Sequence, residues 1–173
     1  MSDKRSAEVE ALQFAIETEK KGYRFYRIAA KSTSDPKGKE VFNQLAQDEI
    51  EHMGVFTTLY ASVTNDEPWL TYEEALAKFG EAEPDEVIFP DKPIESQEGF
   101  DDLRALEEAL EFEKKAVHFY QGQVQKVTGE TAKAFYEKLV EIEEGHVKII
   151  QAEIDSLAGT GFWLDYQEIS LEH

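Results

Sequence analysis

Apolar residues return every three or four positions through four long stretches of this chain, the spacing of one face of a helix. Over residues 6–32 that face is Leu12, Ala15, Ile16, Gly22, Tyr23, Tyr26, Ala29 and Ala30, with Glu17, Lys20, Lys21, Arg24 and Lys31 opposite. Ser34-Asp35-Pro36 stops the run, because proline disfavours helical geometry in the residue before it. A second helix is predicted over 37–63, on a face of Phe42, Leu45, Ala46, Met53 and Phe56. A third, over 100–127, buries Leu103, Leu106, Ala109, Leu110, Ala116, Val117 and Tyr120, and ends at a Thr128-Gly129 turn. A fourth, over 130–158, turns Phe135, Tyr136, Leu139, Val140, Val147 and Ile150 inward and stops at Gly159-Thr160-Gly161. Connections as short as those between the first and second helices, and the third and fourth, make antiparallel pairs.

Residues 64–99 break the pattern. They hold four of the five prolines, Pro68, Pro84, Pro90 and Pro93. A connection this long inside a compact domain needs a reason, and a crossover running the length of a bundle supplies one. A short helix is predicted within it at Thr71–Phe79, with Thr71 and Glu74 set as a capping box. The expected fold is therefore all-α: one four-helix bundle over residues 1–170 with a long crossover between its second and third helices. An aromatic tail over 159–170 (Phe162, Trp163, Tyr166) is expected to pack on the bundle or on a partner subunit. Residues 171–173 look like the start of an expression tag.

The apolar faces are interrupted by acids and imidazoles, and the interruptions repeat. Glu19 lies on the inner face of the first helix, and Glu49 and His52, three residues apart, on that of the second. Residues 15–26 align with 109–120 at seven of twelve positions, an offset of 94. The same offset carries Glu19 to Glu113, Glu49 to Glu143 and His52 to His146. The first two helices thus recur as the last two, and the repeat brings four carboxylates and two imidazoles into one core. Buried without cations, four carboxylates would repel one another and take up protons. Two divalent cations cancel that charge. Oxygen and imidazole ligands without thiolate suit iron or manganese, separately or mixed. Glu-x-x-His from each of two helices plus a Glu from each of the other two is the ligand set of di-metal carboxylate bundles.

Residues around this set are read by face. Tyr26 and Tyr120, seven positions beyond Glu19 and Glu113, are placed to donate hydrogen bonds to the carboxylates or simply to fill the core. Glu17, Glu111 and His118 fall on polar faces. Asp48, Glu51 and Glu144 are near the set in sequence but are expected to point elsewhere.

Composition narrows the function. The net charge of −19 argues against nucleic acid and anionic membrane surfaces as partners. The absence of cysteine removes disulfides, iron–sulfur and rubredoxin-type centres and thiol nucleophiles. No basic segment precedes an apolar run and no apolar run is long enough to span a bilayer, so a cytoplasmic location is expected.

With these motifs in place, the chain resembles the rubrerythrin branch of the ferritin-like di-iron carboxylate superfamily over roughly residues 6–158. The resemblance implies a left-handed four-helix bundle and two iron ions. Glu49 and Glu143 would bridge the ions, Glu19 and Glu113 would be terminal ligands, and His52 and His146 would each cap one ion. It implies an oxidoreductase of the peroxidase or ferroxidase type acting on hydrogen peroxide or dioxygen, in oxidative-stress defence or iron handling, and assembled as a homodimer or higher homo-oligomer. Two features differ from typical rubrerythrins. No cysteine-ligated rubredoxin domain accompanies the bundle, which implies an external electron-donor protein. Ala116 stands where the family carries an extra glutamate three residues after the third-helix ligand, which leaves a symmetric, ferritin-like or bacterioferritin-like set. Iron storage, and a non-catalytic interaction module on the same fold, are the alternative readings.

Overall fold

The computed structural model describes residues 3–80 and 93–166. Pro84 and Pro90 of the crossover, residues 167–170 of the tail and the tag-like 171–173 lie outside the described residues. Five helices follow in order: α1 (Asp3–Ser32), α2 (Pro36–Thr64), α3 (Tyr72–Gly80), α4 (Asp102–Lys126) and α5 (Glu130–Thr160). The described residues contain no strand, and the fold is the expected ferritin-like helical bundle. None of their helices is long and apolar enough to cross a membrane.

Local chemistry sets the helix ends. Asp35 caps α2 by accepting from Lys37 N at 2.9 Å, with Pro36 in the first helical position, where its missing N–H costs nothing. The capping box of α3 forms in both directions, Glu74 N to Thr71 Oγ1 at 3.1 Å and Thr71 N to Glu74 Oε2 at 2.9 Å. Asp101 caps α4 by accepting from Arg104 N at 3.1 Å. Gly161, at φ 79°, closes α5 in the left-handed conformation that glycine adopts without strain, its N–H bonded to Leu157 O. The structured ends differ from the sequence expectation by up to three residues, α1 beginning at Asp3 and α5 running on to Thr160.

Hydrogen bonds at the two ends of the bundle fix its topology. Arg5 Nη2 donates to Val63 O at 2.6 Å, and Lys4 Nζ to Thr128 Oγ1, so the start of α1, the end of α2 and the α4–α5 turn share one end. At the other end, Lys31 Nζ donates to Ile94 O at 2.8 Å and Gln97 N to Ser32 Oγ at 2.8 Å. The chain therefore leaves α2 at one end and enters α4 at the opposite one. α1 and α5 run one way, α2 and α4 the other, and α1 packs on α2 as α4 packs on α5.

Two apolar clusters fill the bundle, one toward each end. The first holds Leu12, Phe56, Leu59, Tyr120, Phe135 and Tyr136, and the second Tyr26, Phe42, Leu45, Leu106, Ile150 and Trp163. The polar residues lie between them. The tail packs on its own bundle: Trp163 is buried, its ring centroid 5.4 Å from that of Phe42 and its Nε1 donating to Asp102 Oδ2 at 3.0 Å. Leu164 N donates to the buried Glu153 at 2.9 Å.

Candidate metal centre

Each repeat contributes three polar side chains to the middle of the bundle. α1 carries Glu19, α2 carries Glu49 and His52, α4 carries Glu113, and α5 carries Glu143 and His146. All six are buried. The one-turn spacing of Glu49 with His52, and of Glu143 with His146, aims both members of each pair at the same point on the bundle axis. The structure brings all six together as two overlapping sets, Glu19, Glu49, His52, Glu143 and Glu49, Glu113, Glu143, His146. Within each set one oxygen or imidazole nitrogen per residue lies within 4.8 Å of the others. Glu49 and Glu143 belong to both.

Both imidazoles present Nδ1 to the carboxylates. His52 Nδ1 lies 3.3 Å from Glu19 Oε2 and 3.3 Å from Glu143 Oε1. His146 Nδ1 lies 3.0 Å from Glu143 Oε2 and 3.5 Å from Glu113 Oε1. The rings stack at 5.8 Å. Tyr26 of α1 donates to Glu113 Oε1 of α4 at 2.5 Å, and Tyr120 of α4 donates to Glu19 Oε1 of α1. Each tyrosine thus crosses the pseudo-two-fold axis to the acid of the other repeat.

The chain matches the family model described as Rubrerythrin over residues 10–154, a span that reaches into all four long helices and includes the six residues. It belongs to the rubrerythrin family. No curated protein and no solved structure matches it.

The electrostatics of this rubrerythrin-family centre show a shortage of positive charge. Burial, and then repulsion from Glu143, pushes the Glu113 carboxyl up to about 7, against the opposing pull of His146. Burial alone would lower both histidines. Glu19 and Glu143 outweigh it at His52, which rises to about 10, and Glu113 and Asp48 outweigh it at His146, which also rises. Burial and Glu19 oppose ionisation of Glu143, but the two histidines prevail and hold it below the ordinary value.

Unpaired atoms test whether a cation fits. Glu49 Oε1, Glu49 Oε2, Glu113 Oε2 and Glu143 Oε1 are buried without a hydrogen bond among the described residues. A buried carboxylate oxygen without a partner is costly. These four oxygens, two of them held only by the His52 imidazole at 3.3 Å and 3.8 Å, converge from three helices beside two imidazole nitrogens and make a donor set that divalent cations satisfy. The residues therefore fit metal ions. Ala116, in place of the family's extra glutamate, is buried in the apolar cluster with Tyr120 and adds no donor.

Neighbouring acids divide as their helix faces require, with one correction. Glu17, Glu111 and Glu144 are exposed, as is His118. Asp48, expected to point elsewhere, instead places Oδ2 3.0 Å from His146 Nε2. It sits one residue outside the inner face of α2, but α5 brings His146 to that edge, and an aspartate is long enough to meet it. Carboxylates behind ligating histidines fix the ring orientation. Glu51 points outward from the centre and accepts from Tyr72 Oη of α3 at 3.0 Å.

Proposed function

We propose that this rubrerythrin-family chain binds two iron ions between its helices and is an oxidoreductase that reduces hydrogen peroxide or dioxygen, with electrons resupplied by a separate donor protein. The observation that carries the proposal is the pair of overlapping four-residue sets sharing Glu49 and Glu143. Two ions would divide that arrangement naturally. Glu19 with His52 would serve one ion, Glu113 with His146 the other, and Glu49 and Glu143 both. A pair of ferrous ions supplies two electrons side by side, the number that reduction of peroxide to water requires. Manganese satisfies the same donors, so the assignment to iron rests on the family.

The protein residues do four things. The four carboxylates, −4 when ionised, balance two divalent cations and keep the pair neutral. His52 and His146, protonated in the metal-free centre, must release those protons before Nδ1 can bind a cation, so loading is proton-coupled. Tyr26 and Tyr120 hold Glu113 and Glu19 in orientation across the axis. The apolar clusters on either side exclude water and lower the local dielectric, which strengthens every charge interaction between them.

Elemental analysis and stopped-flow absorbance together test this. Ferrous-loaded protein should hold two ions per chain, and peroxide or oxygen should produce a rapid absorbance change that then stalls. Sustained turnover should need an added reductant. Glu49→Ala should remove both the loading and the absorbance change. Trace metal after loading, or a Glu49→Ala variant that behaves like the parent, would overturn the assignment.

A further inference from the structure

The two-fold repeat extends beyond the helices into the aromatic residues, where its two arms differ. Tyr26 and Tyr120 are 94 apart (120 − 26), as are Phe42 and Tyr136 (136 − 42) and Trp69 and Trp163 (163 − 69). In one arm, Tyr120 touches Glu19, its ring centroid lies 6.2 Å from that of Tyr136, and Tyr136 lies 6.1 Å from Trp69. In the other, Tyr26 touches Glu113, lies 6.5 Å from Phe42, and Phe42 lies 5.4 Å from Trp163. The arms share geometry but not chemistry. Tyrosine and tryptophan give up an electron within reach of biological oxidants, and phenylalanine does not. One arm is an unbroken row of oxidisable rings, and the other is interrupted at Phe42.

Two further observations separate the row from ordinary core packing. Tyr136 is fully buried, and its hydroxyl has no hydrogen-bond partner among the described residues. Burying such a hydroxyl without a partner is unfavourable, and the twin position shows that phenylalanine fills the same place. Packing alone does not call for the oxygen. The far ends differ as well. Trp163 is buried and donates to Asp102, whereas Trp69 is part-exposed and lines a surface cavity of about 460 Å³ with Lys4, Arg5 and Thr128.

We propose that Tyr120, Tyr136 and Trp69 form a one-electron conduit between the buried centre and the surface at Trp69, where an external one-electron donor delivers its electrons. The proposal rests on the redox reading of the centre. Tyr120 gives one electron to the oxidised centre and its phenol proton to Glu19, the acceptor it already touches. An electron from Trp69 tunnels through the ring of Tyr136, which is not itself oxidised because its hydroxyl has no proton acceptor among the described residues, and refills Tyr120, which takes its proton back from Glu19. Trp69 is refilled by a reduced iron–sulfur, flavin or haem protein, which is oxidised by one electron. Two passes supply the two electrons that, with two protons from solvent, convert hydrogen peroxide to two waters. The phenol proton returns each time and is not consumed.

The conduit is measured in metal-free protein, so it is read separately from iron loading. A soluble ruthenium polypyridyl photo-oxidant with a sacrificial acceptor generates tryptophan radicals, and transient absorbance follows their conversion to tyrosyl radical. Conversion in the parent should slow several-fold in Tyr136→Phe, be lost in Trp69→Phe and Tyr120→Phe, and persist in Trp163→Phe. Tyr136→Phe keeps the fold, since its twin already carries phenylalanine. In protein whose iron content has been measured, peroxide should then leave oxidation products at Trp69, mapped on peptides, that fall several-fold in Tyr136→Phe. Equal radical conversion in parent and Tyr136→Phe, or conversion lost with Trp163 rather than Trp69, would overturn the conduit. Failure of iron loading alone, with conversion intact, would instead overturn the function of the centre.

Discussion

Single residues at the centre trade stability for chemistry. At the centre, Glu19 and Glu143 hold His52 up to about 10 and burial pushes Glu113 up to about 7, and under the tail burial pushes Glu153 up to about 7, all above the values of the unfolded chain. A raised value contributes stability that is complete below the unfolded pKa and is lost as pH rises through the folded one. All three therefore act in the same direction, and the metal-free melting temperature should fall as pH rises from about 5 to about 9. Metal affinity should rise over the same interval, because cations displace the histidine protons. Calorimetry at several pH values, with chelator and with ferrous iron, reads both slopes. Opposite slopes for the metal-free protein would show that the carboxylates are not the burden they are taken to be. Glu49 makes the same trade, since both its oxygens are buried and neither accepts a hydrogen bond among the described residues. Glu49→Leu should abolish loading yet stabilise the metal-free protein by roughly 1–3 kcal/mol, the cost of a buried acceptor left without a hydrogen bond. Urea midpoints in chelator check it. The inward acids were legible because period 3.6 separates Glu19 from Glu17 and Glu113 from Glu111. Asp48 was not. Periodicity describes a helix's own faces, and its contact is decided by how close α5 comes.

At the scale of elements, two glycines on inner helix faces decide how closely neighbours approach. A Cβ at Gly22 would lie 2.9 Å from the Phe112 ring and 3.2 Å from the Glu49 carboxyl carbon. One at Gly54 would lie 2.4 Å from the Phe79 ring of α3. In an open helix glycine to alanine gains about 1 kcal/mol, but overpacking costs typically 1–3 kcal/mol and decides the sign here. Gly22→Ala should lower metal occupancy, because it presses on a shared carboxylate. Gly54→Ala should leave occupancy intact and loosen α3, exposing that helix to limited proteolysis. Equal metal content in Gly22→Ala and the parent would place Glu49 farther from α1 than the structure does. The four long helices and the capping box of α3 could be read from the chain because local signals specify them: the apolar stripe, Asp35-Pro36, and Thr71 with Glu74. The offset of 94 relates Trp69 to Trp163 as well, but their packing against Tyr136 and Phe42 could not be read, since both tryptophans lie outside the periodic stretches.

Across the whole molecule, an excess of negative charge surrounds a centre whose donors suit cations. A net charge of −19 concentrates divalent ions near the surface and speeds their encounter with it. The rate of ferrous uptake should fall as sodium chloride rises from about 10 mM to about 500 mM, because screening shortens the reach of the field, whereas the final content should not change. Stopped-flow loading followed by elemental analysis separates the two. The same scale exposes a break in the symmetry. Asp48 stands behind His146, but the residue 94 positions on (48 + 94 = 142) is Ile142, and among the described residues no carboxylate meets His52 Nε2. Outer carboxylates of this kind change metal affinity by roughly 10–100-fold. The duplicated halves should therefore be ranked, the half built on Glu113 and His146 filling first and the half built on Glu19 and His52 second. Titration with less than one equivalent should yield a singly occupied protein, open to a different metal in the remaining half. Asp48→Asn should level the ranking and merge two binding steps into one.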